Sequence, residues 1–442
     1  MRWNRMTERS LTPSEELAAI WDTLDREERL RAFRRLHQEQ AYDFFLSLSS
    51  RDQAELLLPL SEGERRLWIR LLPPDDAVDV IQEAPAEART ELMGLLDPVS
   101  RREVTALLAY EEDDAGGLMN PRFARLRPDM TADEAISYLR RQVGLAETIY
   151  YAYVLDPDQH LLGVLSFREL FTAAPDAVVR DVMRTDFLSV TEETDQEAVA
   201  HLFREHHLFA IPVVDPDNRM KGIVTIDDIV YVFEEEAAED IQKIGGMAAL
   251  DAPYLDVGFF EMIRKRGGWL AILFVGEMLT ATAMAHFEQE IAAAVVLAIF
   301  IPLIISSGGN SGGQAATLVI RAMATGEIGL RDWWRVIRRE IASGVVLGSI
   351  LGVIGLIRIL LWQKIGGIYG EHYILLATTV AASLVGVVLF GTLAGSMLPF
   401  VLRKAGLDPA SASAPFVATL VDVTGLAIYF TTARVILTGT LL

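Results

Sequence analysis

The chain contains no cysteine in its 442 residues. This absence excludes a disulfide framework and any metal site built from thiolates. Histidine is scarce as well, and the part of the chain from residue 261 onward holds only His286 and His372. The sequence shows neither a Ser–His arrangement nor a phosphate-binding loop, so we predict that the protein is not an enzyme.

Basic residues are few in the N-terminal part. Residues 1–260 contain 27 Lys and Arg against 51 Asp and Glu, whereas residues 261–442 contain 13 against 10. Such an acidic surface argues against nucleic acid as a partner, because nucleic acid needs basic patches. It favours divalent cations, which relieve the self-repulsion of a compact anionic region.

Charge is also scarce in five long apolar runs near the C-terminus. Each run is long enough to cross a bilayer, which takes about 20 residues. Together they predict an all-α membrane domain of five helices. The predicted spans are 269–287, 291–320, 341–362, 373–402 and 409–432.

The basic residues of the short loops predict the orientation of these spans. Lys and Arg precede span one, separate spans two and three, and separate spans four and five, whereas the opposite loops hold only Lys364. We therefore expect a multi-pass protein of the cell (inner) membrane, with the N-terminal domains in the cytoplasm and the C-terminus outside.

Asp422 is the one charged residue in the run 409–432. A carboxylate at the centre of a bilayer costs roughly 2.5–3.5 kcal/mol on insertion scales, so it is kept mainly where it faces a cavity or an ion pathway. An anionic side chain in a pathway suits a cation. A structural carboxylate bound to a partner inside the bundle is the alternative. Span one carries Glu277, and the sequence leaves open whether this residue faces a pore or has a structural role.

Span two contains Pro302 and the stretch GGNSGG at 308–313. A glycine-rich break at membrane depth is tolerated only where the backbone is buried or lines water. Pro302 frees a backbone carbonyl, Asn310 offers an amide oxygen, and Gly308 and Gly309 let carbonyl groups approach a ligand. We expect two half-helices or one bent helix. A glycine cluster that packs helices is the alternative, and both interpretations stay open.

The acidic part contains an internal repeat. The segment DPDQHLLGVLSFRE at 156–169 recurs 59 positions later as DPDNRMKGIVTIDD at 215–228. Upstream of each copy, Thr131 and Thr194 are followed three residues later by Glu, the signature of a helix N-cap. Each copy is predicted to form a helix, a strand, a turn, a strand and a short helix. This pattern resembles a tandem pair of CBS domains.

In CBS domains the ending Ser/Thr-x-x-Asp holds the ribose and phosphates of an adenine nucleotide. The second copy fits this ending with Thr225 and Asp228, whereas the first ends in Ser166 and Glu169. The longer carboxylate departs from the pattern. ATP is therefore a candidate modulator, and the candidate nucleotide-binding residues are Tyr151, Arg168 and Glu169.

The remaining acidic segments are predicted to be helical. Residues 10–115 show short amphipathic helices with capped starts. Further on, Glu236, Glu239 and Asp240 share one helix face, and like charges so placed are destabilising unless they are neutralised. A solvated helix face is the alternative.

The predicted domains are an acidic, all-α superhelical N domain at 1–118, α+β CBS repeats at 119–182 and 183–240, a connecting (plug) helix at 241–264 and the membrane domain at 265–442.

This domain order resembles the MgtE family of magnesium channels over essentially the whole chain. The most specific segments are YEEDDAGGLM at 110–119, GGNSGGQ at 308–314 and ATLVDVTGL at 418–426. The resemblance implies a homodimer in which Asp422 occurs twice around one ion path. It further implies that Ala418 offers a backbone carbonyl and that Asn310 lies beside the path.

The resemblance also implies that the acidic region binds regulatory Mg²⁺ and then holds the pore shut. His207 and Tyr231 stand where relatives can carry carboxylates, which implies a higher Mg²⁺ threshold for closure. The matching regulatory residues are Asp75, Asp79, Asp195, Glu197, Asp228, Glu236, Glu239 and Asp240.

The function implied is a Mg²⁺-selective channel that imports magnesium and is closed by cytosolic Mg²⁺. Its expected partners are a second copy of the chain, membrane lipid and Mg²⁺. A cation-coupled or broader secondary transporter for Co²⁺, Mn²⁺ or Ni²⁺ is the alternative, because an oxygen-lined path does not by affinity alone exclude these ions.

Overall fold

The chain folds into two compact units, Met1–Glu234 and Glu235–Leu442. The computed structural model describes residues 12–250, 254–255 and 257–441. The first unit contains short helices and two small sheets, and the second contains long helices.

The first unit begins with a series of short helices whose starts are set by side-chain caps. Thr12, Asp25 and Ser61 each form a capping box with a Glu three residues later, which satisfies two free backbone N–H groups. Buried Phe and Trp side chains pack where these helices meet. The helices are α1 Pro13–Ile20, α2 Arg26–Phe33, α3 Gln38–Leu46, α4 Ser50–Leu57, α5 Glu62–Ile69, α6 Pro74–Glu83, α7 Ala86–Leu95, α8 Pro98–Leu107 and α9 Ala115–Leu118.

Two three-stranded sheets follow, and they confirm the repeat. In each sheet the first strand is parallel to the second, and the second is antiparallel to the third. The first copy comprises β1 Arg125–Leu126, α10 Ala132–Gln142, β2 Tyr151–Leu155, β3 Leu161–Ser166, α11 Phe167–Thr172 and α12 Val179–Val182. The second comprises β4 Val190–Thr191, α13 Gln196–His206, β5 Ala210–Val214 and β6 Met220–Thr225.

One of the two predicted N-caps is wrong. Thr131 caps α10 as expected, but α13 is capped by Asp195, whose carboxylate accepts hydrogen bonds from the backbone of Glu197 and Ala198. Asp is at least as good an N-cap as Thr. The sequence pattern favoured Thr194 because Glu follows it at the capping-box spacing.

The connecting helix expected at 241–264 is placed differently in the structure. Helix α14 runs over Ile226–Ile244, and the next helix begins only at Phe259. The chain leaves α14 through Gly246, whose φ of 75° is left-handed and suits glycine. The N–H of Gly246 donates to the carbonyl of Lys243 at 2.9 Å, a common way to satisfy the last turn of a helix.

The second unit contains five helices long and apolar enough to cross a membrane, as predicted. Three-residue 3-10 turns precede the third and fifth of them, at Leu330–Asp332 and Pro409–Ser411. Arg434, two residues past the predicted fifth span 409–432, lies within its helix. The five long helices are α15 Phe259–His286, α17 Ile301–Ala324, α18 Trp333–Gly366, α19 Tyr373–Lys404 and α20 Ala414–Leu437, and the short helix α16 Glu288–Ala293 lies between α15 and α17 in the chain.

The expected break of span two at its glycines is also wrong. Helix α17 runs without interruption through 308–313. The irregular part lies earlier, where α16 ends at Ala293 and a 3-10 helix covers Val295–Phe300. Pro302 lies in the first turn of α17, where its missing N–H costs nothing.

The glycines of α17 instead bring helices together, the alternative that the sequence left open. A Cβ on Gly391 or Gly395 of α19 would collide with the backbone carbonyl of Gly308 or Gly312, respectively. Small residues at a helix crossing let two backbones approach closely, which is a main source of helix association in membranes.

We predict that Gly395→Ala destabilises the membrane domain, because the new methyl group would meet backbone that has no alternative rotamer. Overpacking of this kind costs about 1–3 kcal/mol or more. Heating the detergent-solubilised protein and measuring the surviving monodisperse fraction by size exclusion checks this. Gly267→Ala on α15, where a Cβ would meet nothing within 4 Å, is the control, and equal loss for both variants would contradict the prediction.

Candidate functional site

The structure places Asp422 in the middle of α20, close to the glycines of α17. Ser413 caps α20 by accepting a hydrogen bond from the N–H of Phe416 at 3.3 Å, and Asp422 follows about two and a half turns later, half-buried. Around it α20 lies directly against α17. A Cβ on Gly309 would sit 3.4 Å from Cβ of Ala418.

Three of the predicted pore residues, Gly308, Gly309 and Ala418, therefore lie at the crossing of α17 and α20. A Cβ on Gly308 would lie 2.8 Å from Cγ1 of Val421, and Val421 directly precedes Asp422 in the chain. Asn310 is exposed within the single chain. Pro302 is exposed as well and lies almost two turns before Gly308 on α17.

Glu277 of span one reaches this crossing. Its carboxyl group lies within hydrogen-bonding reach of the carboxyl group of Asp422. The helices touch one residue earlier, because a Cβ on Gly276 would be 2.6 Å from Cγ2 of Thr419. The sequence left the role of Glu277 open, and the structure brings it to Asp422.

A second group of carboxylates lies in the first unit. Asp75 and Asp79 on α6 lie close to Asp228 on α14, with Asp75 almost fully buried. We call these three residues, together with Asp76, Asp227 and Glu147, the acidic cluster. Sequence reasoning identified the first three members and missed the other three.

Neutral donors contact the acidic cluster directly. Asn120 is fully buried, and its Nδ2 donates to Asp75 at 3.0 Å and to Glu147 at 2.8 Å. The hydroxyl of Thr225 donates to Asp228 at 2.8 Å. Arg122 adds positive charge near Glu147, but its guanidinium donates to Glu103 at 2.7 Å.

The helix geometry explains how so many carboxylates fold together. Asp75 and Asp76 lie in the first turn of α6, and Asp227 and Asp228 lie in the first turn of α14. The N-terminus of a helix carries a partial positive charge that favours nearby anions. Two helix N-termini thus partly offset the repulsion.

Burial and mutual repulsion raise the pKa values of the acidic cluster. Burial, reinforced by Asp76 and Asp228, raises the pKa of Asp79 to about 8. Burial, reinforced by Asp227, raises the pKa of Asp228 to about 7 and that of Asp76 to about 6. The pKa of Asp75 is raised well above its usual value for the same reasons.

The acidic cluster fits a hard divalent cation. Mg²⁺ and Ca²⁺ are bound by carboxylate, carbonyl and water oxygens, and the cluster offers carboxylates with an excess of negative charge. Asp75, Asp79 and Asp228 would hold such an ion, with Asp76, Asp227 and Glu147 close by.

Three family models match this chain. A family model described as divalent cation transporter matches residues 301–432, which include Asp422. The MgtE intracellular N domain matches 12–113, and CBS domains match 115–176 and 179–235. A protein named magnesium transporter MgtE from Thermus thermophilus is 42% identical over 96% of this chain and 93% of its own length.

The chain belongs to the MgtE family. The relative of the same name from Bacillus subtilis is 30% identical over 94% of this chain and 90% of its own. Among solved structures, the cytosolic domain of the Mg²⁺ channel MgtE in complex with ATP is 40% identical. It covers 50% of this chain and 91% of its own, with a TM-score of 0.47.

The MgtE resemblance implied further regulatory residues that are not members of the acidic cluster. They are Asp195, Glu197, Glu236, Glu239 and Asp240. Asp195 caps α13, and the carboxylate of Glu197 lies 3.6 Å from Nε2 of His201. Glu236 and Asp240 lie on α14 in the second unit.

Glu239 is neutralised by a residue of the chain itself. Nζ of Lys243, one turn later on α14, lies 2.6 Å from Glu239 and 2.6 Å from Asp408. Asp408 accepts a hydrogen bond from the N–H of Ala410, in the 3-10 turn before α20. The hydrogen bonds to the two carboxylates raise the pKa of Lys243 despite its partial burial. The end of α14 is thus bound to the segment that leads to Asp422.

The candidate nucleotide residues lie together in the first CBS copy. Tyr151 pairs with Ser166 across strands β2 and β3, and exposed Arg168 lies in the first turn of α11. Glu169 is already engaged, because its carboxylate accepts hydrogen bonds from N and Oγ of Ser166 at 2.8 and 2.7 Å.

A third group of metal-ligand type, at Asp156, Asp158 and His160, has a local explanation. Asp156 accepts hydrogen bonds from the backbone of Asp158 and His160 and contacts the His160 ring. Side-chain bonds of this kind build turns, so these contacts shape the hairpin between β2 and β3.

We predict that the stability of the protein in chelator falls as pH rises from about 4 to about 8. The raised pKa values mean that the folded acidic cluster keeps protons that the unfolded chain has already lost, so deprotonation favours unfolding. Thermal unfolding of the full-length protein across this range measures the effect. Asp79→Asn should flatten the pH dependence, whereas Asp176→Asn, an exposed carboxylate, should not. Equal slopes in both variants would contradict the assignment.

Proposed function

We propose that this protein is a magnesium channel that imports Mg²⁺ and closes when cytosolic Mg²⁺ is high. The observation that carries the proposal is a half-buried carboxylate, Asp422, at the contact of apolar helices α15, α17 and α20. The magnesium transporters that this chain resembles over nearly its full length support the choice of ion.

In this proposal Asp422 attracts and holds the ion in transit. Mg²⁺ dehydrates reluctantly and usually keeps several of its waters. A carboxylate can bind such a hydrated ion through its water shell without stripping it. The carbonyl of Ala418 and the amide of Asn310 are further oxygens for that shell.

We further propose that two copies of the chain form the pore, with the N-terminal domains in the cytoplasm and the C-terminus outside. The support is the large apolar surface of α15, which a single chain leaves uncovered. Lipid and a second copy would both cover such a surface. Its exposed residues include Leu270, Ile272, Phe274, Val275, Met278 and Leu279.

The acidic cluster is the proposed sensor. Bound Mg²⁺ would supply the positive charge that the cluster lacks. Without it, Asp75, Asp79 and Asp228 repel one another, and α6 and α14 are held together at a cost. A ligand shifts a conformational equilibrium only through its different affinity for the two states, and these carboxylates are closest together in the compact form.

Helix α14 is the proposed link to the pore. It carries Asp227 and Asp228 in its first turn and Lys243 in its last. The Lys243 ion pair with Asp408 connects its end to the start of the helix that carries Asp422.

ATP is proposed as a modulator at Tyr151 and Arg168, with Glu169 opposing the phosphates by its charge.

We predict that Asp422→Asn abolishes Mg²⁺ uptake while the protein still folds, because the amide keeps the shape and removes the charge. Uptake into proteoliposomes measures this. Glu371→Gln, which neutralises an exposed carboxylate between α18 and α19, should transport normally. Undiminished uptake by Asp422→Asn would refute the pore assignment. Saturable flux without single-channel currents in the unmodified protein would favour the coupled transporter.

We also predict that Asp79→Asn raises the internal Mg²⁺ concentration needed for closure. The shift should be roughly tenfold or more, the loss typical when a group that supports a metal site is removed. Patch-clamp recording at graded internal Mg²⁺ gives this threshold, with Asp176→Asn as the matched control. A channel that closes at the same concentration in both variants would contradict the sensor assignment.

A further inference from the structure

Glu277 and Asp422 come from helices that are far apart in the chain and in direct contact in space. The carboxyl groups interact, and the adjacent residues Gly276 and Thr419 leave no room for a side chain between the helices. The contact between α15 and α20 therefore brings the two carboxyl groups near each other.

Two carboxylates at this separation repel each other unless a positive charge lies between them. Two arginines of the long helices in the second unit, Arg358 and Arg434, have other surroundings. The guanidinium of Arg358 donates to the hydroxyl of Tyr369 at 3.2 Å and lies over the rings of Phe300 and Trp362. Arg434 lies more than three turns after Asp422 on α20.

Intramembrane carboxylates are costly and mark ion pathways. The family match described as divalent cation transporter includes Asp422 but begins at residue 301, so it does not contain Glu277. One turn beyond Glu277 on the same helix face, the hydroxyl oxygen of Thr280 is buried and has no hydrogen-bond partner. Helix α15 thus carries a carboxylate and, one turn later, a hydroxyl that has no hydrogen-bond partner in the part of the chain that the structure describes.

We propose that Glu277 is a second ion-binding carboxylate, which together with Asp422 binds the divalent cation in transit. This rests on the proposed function, because it takes Asp422 to be the pore carboxylate. Two carboxylates of one chain bind a hydrated divalent cation more strongly than one. Glu277 is exposed within the single chain.

The test compares Glu277→Gln and Glu277→Asp in the full-length protein in proteoliposomes, with Glu288→Gln as control. Glu288 is an exposed carboxylate just past the end of α15. We expect Glu277→Gln to raise the half-saturating Mg²⁺ concentration about tenfold, equivalent to about 1.4 kcal/mol. Glu277→Asp should recover part of the affinity, and Glu288→Gln should behave as the unmodified protein.

A second measurement separates binding from folding. Hexaamminecobalt(III) is an inert cation that resembles hydrated Mg²⁺, so it reports binding through a water shell. We expect its block of Mg²⁺ flux to weaken in Glu277→Gln and to stay unchanged in Glu288→Gln. Unchanged half-saturation and unchanged block in Glu277→Gln would overturn the proposal.

The Asp422→Asn variant distinguishes the two levels of inference. If Asp422→Asn loses flux while Glu277→Gln behaves as the unmodified protein, only the role of Glu277 is overturned. If Asp422→Asn transports normally, the pore assignment fails and the role of Glu277 fails with it.

Discussion

The repulsion between carboxylates that are brought close together and partly out of water is the interaction on which this protein depends. It occurs in the acidic cluster around Asp75, Asp79 and Asp228, and again where Glu277 meets Asp422. At such places a bound cation lowers the free energy, because burial penalises every charge that is not neutralised. In the function that we propose, the transported ion and the sensed ion are therefore recognised by the same chemistry.

The rest of the architecture serves to hold these groups in place. In the first unit, two helix N-termini and the buried amide of Asn120 partly offset the repulsion within the acidic cluster. In the second, glycines let α17 approach α19 and α20 so closely that backbone touches backbone. Lys243 shows the contrasting solution, in which a side chain of the protein itself neutralises Glu239 and Asp408.

Sequence reasoning succeeded where a pattern is local. The five spans, the CBS repeat and the isolated Asp422 follow from composition and spacing, and the structure has the spans and the repeat. Sequence reasoning failed where two local patterns compete. Thr194 and Asp195 are both good N-caps, and only the fold chooses between them. The glycines at 308–313 looked like a break, but close neighbours convert them into a packing surface.

The sequence by itself determined which segments are apolar, where the chain repeats and which family it belongs to, because these properties depend on neighbouring residues. Only the tertiary structure decided that Asp227 and Glu147 join Asp75, and that Glu277 faces Asp422. These groups lie tens to more than a hundred residues apart in the chain. Charge repulsion depends on the distance between two groups in space. Helix packing sets that distance, and the spacing of residues along the sequence does not predict it.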